Sequence, residues 1–487
     1  MMAKLELSWL PEFPDWTARI KTLEQASDVS WQELVALANA RLDFLKTERL
    51  DKLLRKHFGQ EPPPGLATWP VRLGLLGSST LVQLHAGLRV AALRRGIWLS
   101  LYEADYGQYL QELLDPASGL HAFQPDVVLF ALDARHLTGG LSVAASPEEA
   151  DSALAQTLGR LRQCWGIARD TLRATVIQQT VLPVLPGLLG NNEQRLPGSP
   201  ARAVTRLNTA LRDAADSEGV HLLALDARAA QDGIRSWHDP VLWHRAKQEV
   251  SPTAGPLYGD LVGRILAALQ GRASKCLVLD LDNTLWGGVI GDDGLEGIVL
   301  GQGSALGEAF AAVQDYAFAL ARRGVILAVC SKNDEANAHA AFDKHPEMVL
   351  KRAHIASFVA NWDDKATNLR RIAKDINIGL DSLVFVDDNP FERNLVRQEL
   401  PEVAVPEIPD DDPALVPQIL ADAGYFEPLA ITADDRARTA QYQANRERAA
   451  LESSATDLPS YLRGLDMELI WRRFDRVGLA RTTQLIN

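Results

Sequence analysis

The sequence has little cysteine, no long apolar run and no surplus of positive charge. Its three cysteines, Cys164, Cys276 and Cys330, are scattered through 487 residues. That excludes a disulfide framework and a Cys-x-x-Cys metal site. Lysine and arginine number 50 against 63 aspartates and glutamates, a formal net charge of −13. So acidic a chain lacks the electrostatic footprint for a phosphate backbone, and no nucleic-acid partner is expected. The longest uncharged stretch, Ala174–Asn192, holds Pro183, Pro186 and several amides. It reads as a strand and a loop, not a membrane span. Met1–Pro11 carries early charges and no secretory apolar core, so no membrane partner and a cytoplasmic address are expected. No repeat of fixed period is visible.

What is present is ordinary globular material, 47% apolar and 23% charged. At about 150 residues per domain it fills roughly three units. Residues 1–65 read as an N-terminal helical arm. Trp31, Leu34, Leu37, Leu42 and Leu45 form an apolar stripe that Gly59–Gly65 breaks. Over 66–272, apolar β-rich runs at Val71–Leu76, Ile97–Tyr102, Val127–Leu132, Thr175–Val181 and Val220–Leu225 alternate with helical stretches such as Glu148–Trp165 and Ala201–Glu218. Over 273–425 the alternation restarts, with strands at Cys276–Asp280, Val325–Cys330 and Ser382–Val386. A helix runs through Leu306, Phe310, Val313, Ala317 and Leu320 and stops at Gly324. Short, continuously apolar strands between helices predict parallel sheets covered on both faces. The expected class is therefore α/β, with two Rossmann-like parallel-sheet domains. Pro401–Pro413 reads as a proline-rich acidic connector. Residues 426–487 hold a charged helix at Asp434–Leu451 and a strand at Met467–Arg472. They read as a truncated α+β C-terminal segment, because the chain stops at Asn487 inside a helical pattern.

Chemistry concentrates in Lys275–Gly288, KCLVLDLDNTLWGG. An apolar strand runs into Asp280 and Asp282, two residues apart at its carboxyl end, where open α/β sheets bind ligands. Carboxylates so close repel unless a cation sits between them, and Mg²⁺ suits oxygen-only ligands. Thr284 adds a hydroxyl. Three further pieces follow in order: Ser331 after a strand in VCSKN, Lys365 opening a helix in WDDKATNL, and Asp387 with Asp388 after a strand in VFVDDNPFER. Each is weak alone, and a lone Asp-x-Asp is usually a solvated turn. Together they point to a phosphoryl site, where catalysis is mostly positioning and charge neutralisation.

This order resembles the haloacid-dehalogenase (HAD) superfamily. The resemblance implies that Asp280 is a nucleophile forming an aspartyl-phosphate and Asp282 a general acid and base. It implies that Thr284, Ser331 and Lys365 hold the phosphate. Asp280, Asp387 and Asp388 would hold Mg²⁺, with Asp282 adding its backbone carbonyl. DLDNTLWGGVIGDDG, CSKND and FVDDNPFER together are similar to the FkbH-like glyceryltransferase/phosphatases of polyketide biosynthesis. The match is dense over Lys275–Arg397 and looser at Leu73–Ala92 and Trp98–Leu137. That likeness implies loading of a glyceryl-type three-carbon unit from 1,3-bisphosphoglycerate onto the phosphopantetheine arm of an acyl carrier protein, with dephosphorylation at the HAD site. Trp286 and Asn333 are expected beside the substrate. Among the thiols, Cys330 adjoins Ser331 at the active strand end, so it is expected to relay the acyl group. The alternative is a cysteine that simply packs. Trp286–Gly294 reads as a glycine-rich flap. A plain phosphatase acting on a small phosphomonoester, and a non-catalytic scaffold that docks the carrier, stay open.

The earlier α/β unit has its own signal. LGSST at Leu76–Thr80 places Ser79 after a strand. The layout is similar to SGNH-type hydrolases, with Ser78 in the slot of their aspartate and Asp133 in the region of their asparagine. A clean Asp-x-x-His pair is missing, and Trp237–His244 offers only His238, Asp239 and His244. The unit is thus either a Ser79 hydrolase or a degenerate module that docks the carrier or shapes the substrate channel.

Overall fold

The computed structural model describes residues 5–430 apart from 60, 64, 67, 410 and 411. The molecule is an α/β protein. Within the described residues lie β1 Val71–Gly77, β2 Leu99–Glu103, β3 Val127–Ala131, β4 Thr175–Gln179 and β5 His221–Leu223. They form a sheet in the order β2-β1-β3-β4-β5. Then come β6 Cys276–Leu279, β7 Ile326–Ser331, β8 Ile355–Ala360 and β9 Leu383–Val386. Their order is β8-β7-β6-β9. Every pairing in both sheets is parallel. The unbroken apolar character of the strands has its reason here: both faces are covered, so neither can be polar. Along β6, Leu277 and Leu279 join one core with Phe310 and Val329, while Cys276 and Val278 join the opposite one with Leu369 and Ile372. Strand β8, IASFVA, is an edge strand that the sequence pattern did not announce.

The N-terminal helices are not a free arm. Trp16–Gln25, Trp31–Ala38 and Phe44–Phe58 share a core with Val90, Leu93 and Trp98. Leu45, assigned to the buried stripe, is 74% exposed, and Leu50 and Leu53 carry the buried face instead. Beneath them the helices His85–Arg94 and Gly255–Leu269 touch backbone to backbone. A Cβ on Gly87 would stand 2.1 Å from the Gly255 carbonyl oxygen, so only glycine fits. Asp260 is fully buried between these helices. Burial opposes its charge, but Arg95, Arg264 and Arg94 together hold its carboxyl well below the usual range. Arg264 also donates to the Asp422 carbonyl at 2.8 Å, and Arg228 pairs with the Asp422 carboxylate at 2.6 Å. These contacts fasten the helix Val416–Ala423 to the first unit.

The Pro401–Pro413 run is more than a connector. Phe385 donates its N–H to the Ala404 carbonyl at 2.8 Å and Ala404 donates to the Leu383 carbonyl at 3.1 Å, a parallel bridge that lays this run beside β9, and Val403, Val405 and Ile408 are buried. The expected helix at Asp434–Leu451 and strand at Met467–Arg472 lie outside the described residues. Among the described residues no helix is long and apolar enough to cross a membrane.

Candidate active site

Register brings the acids together. Leu279 is level with Val329 on one side and Val386 on the other, so β6, β7 and β9 end at one rim. The next residue, Asp280, donates its N–H to the Val386 carbonyl at 2.9 Å. Asp387 and Asp388 follow β9, and one oxygen from each of Asp280, Asp387 and Asp388 lies within 4.8 Å of the others. Burial, then the Asp280 charge, pushes the carboxyls of Asp387 and Asp388 upward.

One cation answers them. Lys365 opens the helix Lys365–Asp375 and is 1% exposed. Its Nζ lies 2.8 Å from Asp280 Oδ1 and 3.1 Å from Asp387 Oδ2, and it donates to the Cys330 carbonyl at 2.9 Å. Burial opposes the charge, and the two carboxylates more than offset that, so the ammonium stays protonated. Asp280 Oδ1 and Asp387 Oδ2 are buried and accept no well-aligned hydrogen bond despite this proximity. Three carboxylates against one ammonium, with lone pairs unmet, fit a hard divalent cation taking oxygen ligands.

Asp282 stands apart from that trio. Its Oδ1 accepts from the Trp286 indole N–H at 2.9 Å and the Ile290 N–H at 3.1 Å, and its Oδ2 accepts from Asn333 Nδ2 at 2.7 Å. Burial pushes its carboxyl up against these donors, as suits an acid that must hold and release a proton.

Several sequence-based expectations change task. Trp286 is fully buried and Asn333 is 3% exposed, so both orient Asp282 and neither offers a substrate face. The Thr284 hydroxyl donates to Asp388 Oδ1 and accepts the Asp388 N–H, both at 3.2 Å, so it fixes the second acidic turn. Ser331 ends β7 at the rim, 2% exposed. Cys330 fails as a relay on two counts: its side chain is fully buried, and burial pushes the thiol up to about 12. Cys164 and Cys276 are buried too. The expected flap is pinned. Gly288 donates to Asn283 Oδ1 at 2.9 Å, Val289 donates to Asp293 Oδ2 at 2.7 Å, and Ile290–Gly297 is helical with a kink at Gly294.

Sequence reasoning missed the support beneath the acids. Arg393 is 2% exposed and donates to the backbone carbonyls of Asp387 and Asp388 at 2.9 and 2.6 Å. Glu407, from the proline-rich run, pairs with Arg393 at 3.0 Å and Arg397 at 2.6 Å. The only sequence signal was an arginine in the first turn after DDNP.

In the first unit, Ser78 Oγ donates to Asp133 Oδ2 at 2.5 Å and accepts the Asp133 N–H at 2.8 Å. His238 is engaged through Nδ1 with the Glu249 carbonyl at 2.7 Å. Ser79 is buried after β1, and among the described residues no hydrogen bond links its side chain to a histidine or a carboxylate. No triad is assembled around it.

Comparison with known proteins gives three findings. Residues 72–264 match the family model described as FkbH, N-terminal domain. The chain is similar to a crystal structure of the N-terminal part of the protein BF1531 from Bacteroides fragilis, containing a phosphatase domain complexed with Mg. Identity is 32% and the TM-score 0.72, over 80% of this chain and 100% of that one. An acetyl xylan esterase, AlAXEase, aligns at 13% identity over 39% of this chain and 98% of its own, but at a TM-score of 0.27 it carries no weight for an esterase reading. No curated protein matches.

Proposed function

The chain belongs to the FkbH family, and from that premise we propose that it is an Mg²⁺-dependent phosphatase whose rim of acids serves the loading of a three-carbon unit. The observation that carries this reading is the union of Asp280, Asp387 and Asp388 around Lys365, with Asp282 held separately by three donors. Asp280 attacks the phosphorus of a phosphomonoester, and the bond to the leaving oxygen opens as Asp282 delivers a proton to it. Water then attacks the aspartyl-phosphate, losing its proton to Asp282. Lys365 pairs with Asp280 at 2.8 Å, and the Ser331 hydroxyl, at the end of β7 on the same rim, would donate to a phosphate oxygen. A divalent cation bound by Asp280, Asp387 and Asp388 supplies charge neutralisation for the transferred group.

In this reading the phosphomonoester derives from 1,3-bisphosphoglycerate and the acyl unit passes to the phosphopantetheine arm of an acyl carrier protein in polyketide biosynthesis. The burial of all three cysteines favours an acyl group that never rests on this chain. Intact-mass measurement of a holo-carrier incubated with the protein, 1,3-bisphosphoglycerate and Mg²⁺ tests it. A dephosphorylated three-carbon acyl mass on the carrier is expected. Free phosphate with an unmodified carrier would reduce the function to a plain phosphatase.

A further inference from the structure

A cavity of about 370 Å³ lies in the first unit, between the helices Pro147–Asp170 and Pro200–Glu218 and under the segments that follow β3 and β4. Open α/β sheets bind ligands at that carboxyl end. Neither Ser79 nor His238 lines it. Its walls are built in advance. The segment 180–199 after β4 holds one short turn, Gly190–Asn192, and runs that long without regular structure are usually functional. This one is pinned. Glu193 accepts the N–H groups of Leu188 and Leu189 and, at 2.7 Å, the Ser199 hydroxyl. Arg202 donates to the Gln194 and Arg195 carbonyls at 3.2 and 3.1 Å. A Cβ on Gly198 would stand 2.0 Å from the Ser142 carbonyl oxygen, so the two segments meet backbone to backbone.

Leu137, Leu141, Leu154 and Leu207 make the lining apolar, while Ser142 and Gln156 add a hydroxyl and an amide. Its charge is positive, a local reversal in a chain of net charge −13. Arg160 makes one hydrogen bond among the described residues, a long one of 3.4 Å to the Thr157 hydroxyl. Arg206 pairs with Asp151 at 2.6 Å, but that carboxylate is 62% exposed, so the pair is weak and exchangeable. Glu149, the acid among the described lining residues, accepts the Ser146 N–H at 2.8 Å as a helix cap. Val143, Leu188 and Leu196 stand exposed on the same two segments, apolar surface that a partner would cover. Such a site suits a flexible, mostly neutral body that ends in a phosphate and is presented by another molecule. Because all three cysteines are buried, the thiol that receives the acyl unit comes from outside the chain. Resting on the loading reading above, we propose that this cavity holds the phosphopantetheine arm of the carrier protein. Arg160 and Arg206 answer its phosphodiester, the leucines its methyl groups, and Ser142 and Gln156 its amides.

The test is calorimetric titration of the full chain with 4′-phosphopantetheine, pantetheine and inorganic phosphate. 4′-Phosphopantetheine should bind about tenfold or more tightly than pantetheine. Arg160→Glu should erase that preference. Ala153→Phe, which fills the cavity from a half-buried helix position, should abolish binding of both arms. Neither position touches the acids, so both variants should unfold like the parent and hydrolyse p-nitrophenyl phosphate at the parent rate. No binding by the parent, equal affinities for the two arms, or binding unmoved by both variants overturns the proposal. Inorganic phosphate binding as tightly as 4′-phosphopantetheine marks an anion site only and overturns it too. Intact-mass loading of a holo-carrier separates this proposal from the reading it rests on. A parent that binds the arm but leaves the carrier unmodified removes the loading reading and keeps the arm site. Loading unimpaired by Ala153→Phe removes the arm site and keeps the loading reading.

Discussion

Replacing Lys365 with methionine removes the ammonium that bridges Asp280 and Asp387 while keeping the side chain's length and apolar stem. Its Nζ stands 2.8 Å from Asp280 Oδ1 and 3.1 Å from Asp387 Oδ2. At an effective dielectric of about 20, each pair contributes about 5–6 kcal/mol of attraction before desolvation. The variant also loses the desolvation penalty of the ammonium, so the net loss should be about 3–5 kcal/mol, the range for a buried pair broken on one side. The sign with pH follows from the carboxyls left behind. Burial, then Asp280, already raises Asp387, and without Lys365 it rises further. A raised carboxyl favours the folded state below its ordinary pKa, and that support fades as pH climbs through the raised value. The deficit of Lys365→Met should thus be full near about pH 8 and shrink near about pH 5. Added Mg²⁺ should recover part of it by binding the folded form, about 2.7 kcal/mol at a hundredfold excess over Kd. Urea unfolding followed by tryptophan fluorescence reads all three. A loss below about 1 kcal/mol at high pH, or one indifferent to both pH and Mg²⁺, would refute the buried counter-ion argument.

Further outcomes are expected at neighbouring positions. Asp282→Asn should still accept a phosphoryl group from p-nitrophenyl phosphate, whose leaving oxygen needs no proton, but turn over about 10²–10⁴-fold more slowly, so rapid-quench kinetics should show a burst. Trp286→Phe removes a donor that lowers the Asp282 pKa, so the basic limb of the kcat profile should move to higher pH. Cys330→Ala should cost about 1 kcal/mol of packing and leave phosphate release within about twofold, because the thiol is sealed in the core. Arg393→Lys cannot reach two carbonyls as a fork does, so half-maximal activity should require several times more Mg²⁺ in a metal titration.

What the sequence disclosed follows from where its rules are local. The strands β1, β3, β6, β7 and β9 were legible because a strand buried on both faces must be apolar throughout, and Asp280, Ser331 and Asp387 were placed by standing at strand ends. β8 was missed because it is an edge strand whose apolar run is interrupted by Ser357. Leu45 misled because a helical stripe says nothing about which flank meets the partner. The larger errors concern side chains whose task is set by a distant partner. Trp286 and Asn333 are polar neighbours of the motif, yet only the fold shows both donating to Asp282. Glu407 reads as an acid in a proline-rich connector, and its pairing with Arg393 and Arg397 depends on that run lying along β9. Cys330 looked exposed to chemistry because strand position does not report depth.

The account stands on Asp280 accepting the phosphoryl group. Rapid-quenched turnover of a phosphomonoester with Mg²⁺, followed by peptide mapping at acid pH, tests this directly. A phosphoryl mass on the peptide that contains Asp280, absent from Asp280→Asn, is the predicted result. Sustained phosphate release by Asp280→Asn, or a phosphoryl group found on any other residue, would contradict it.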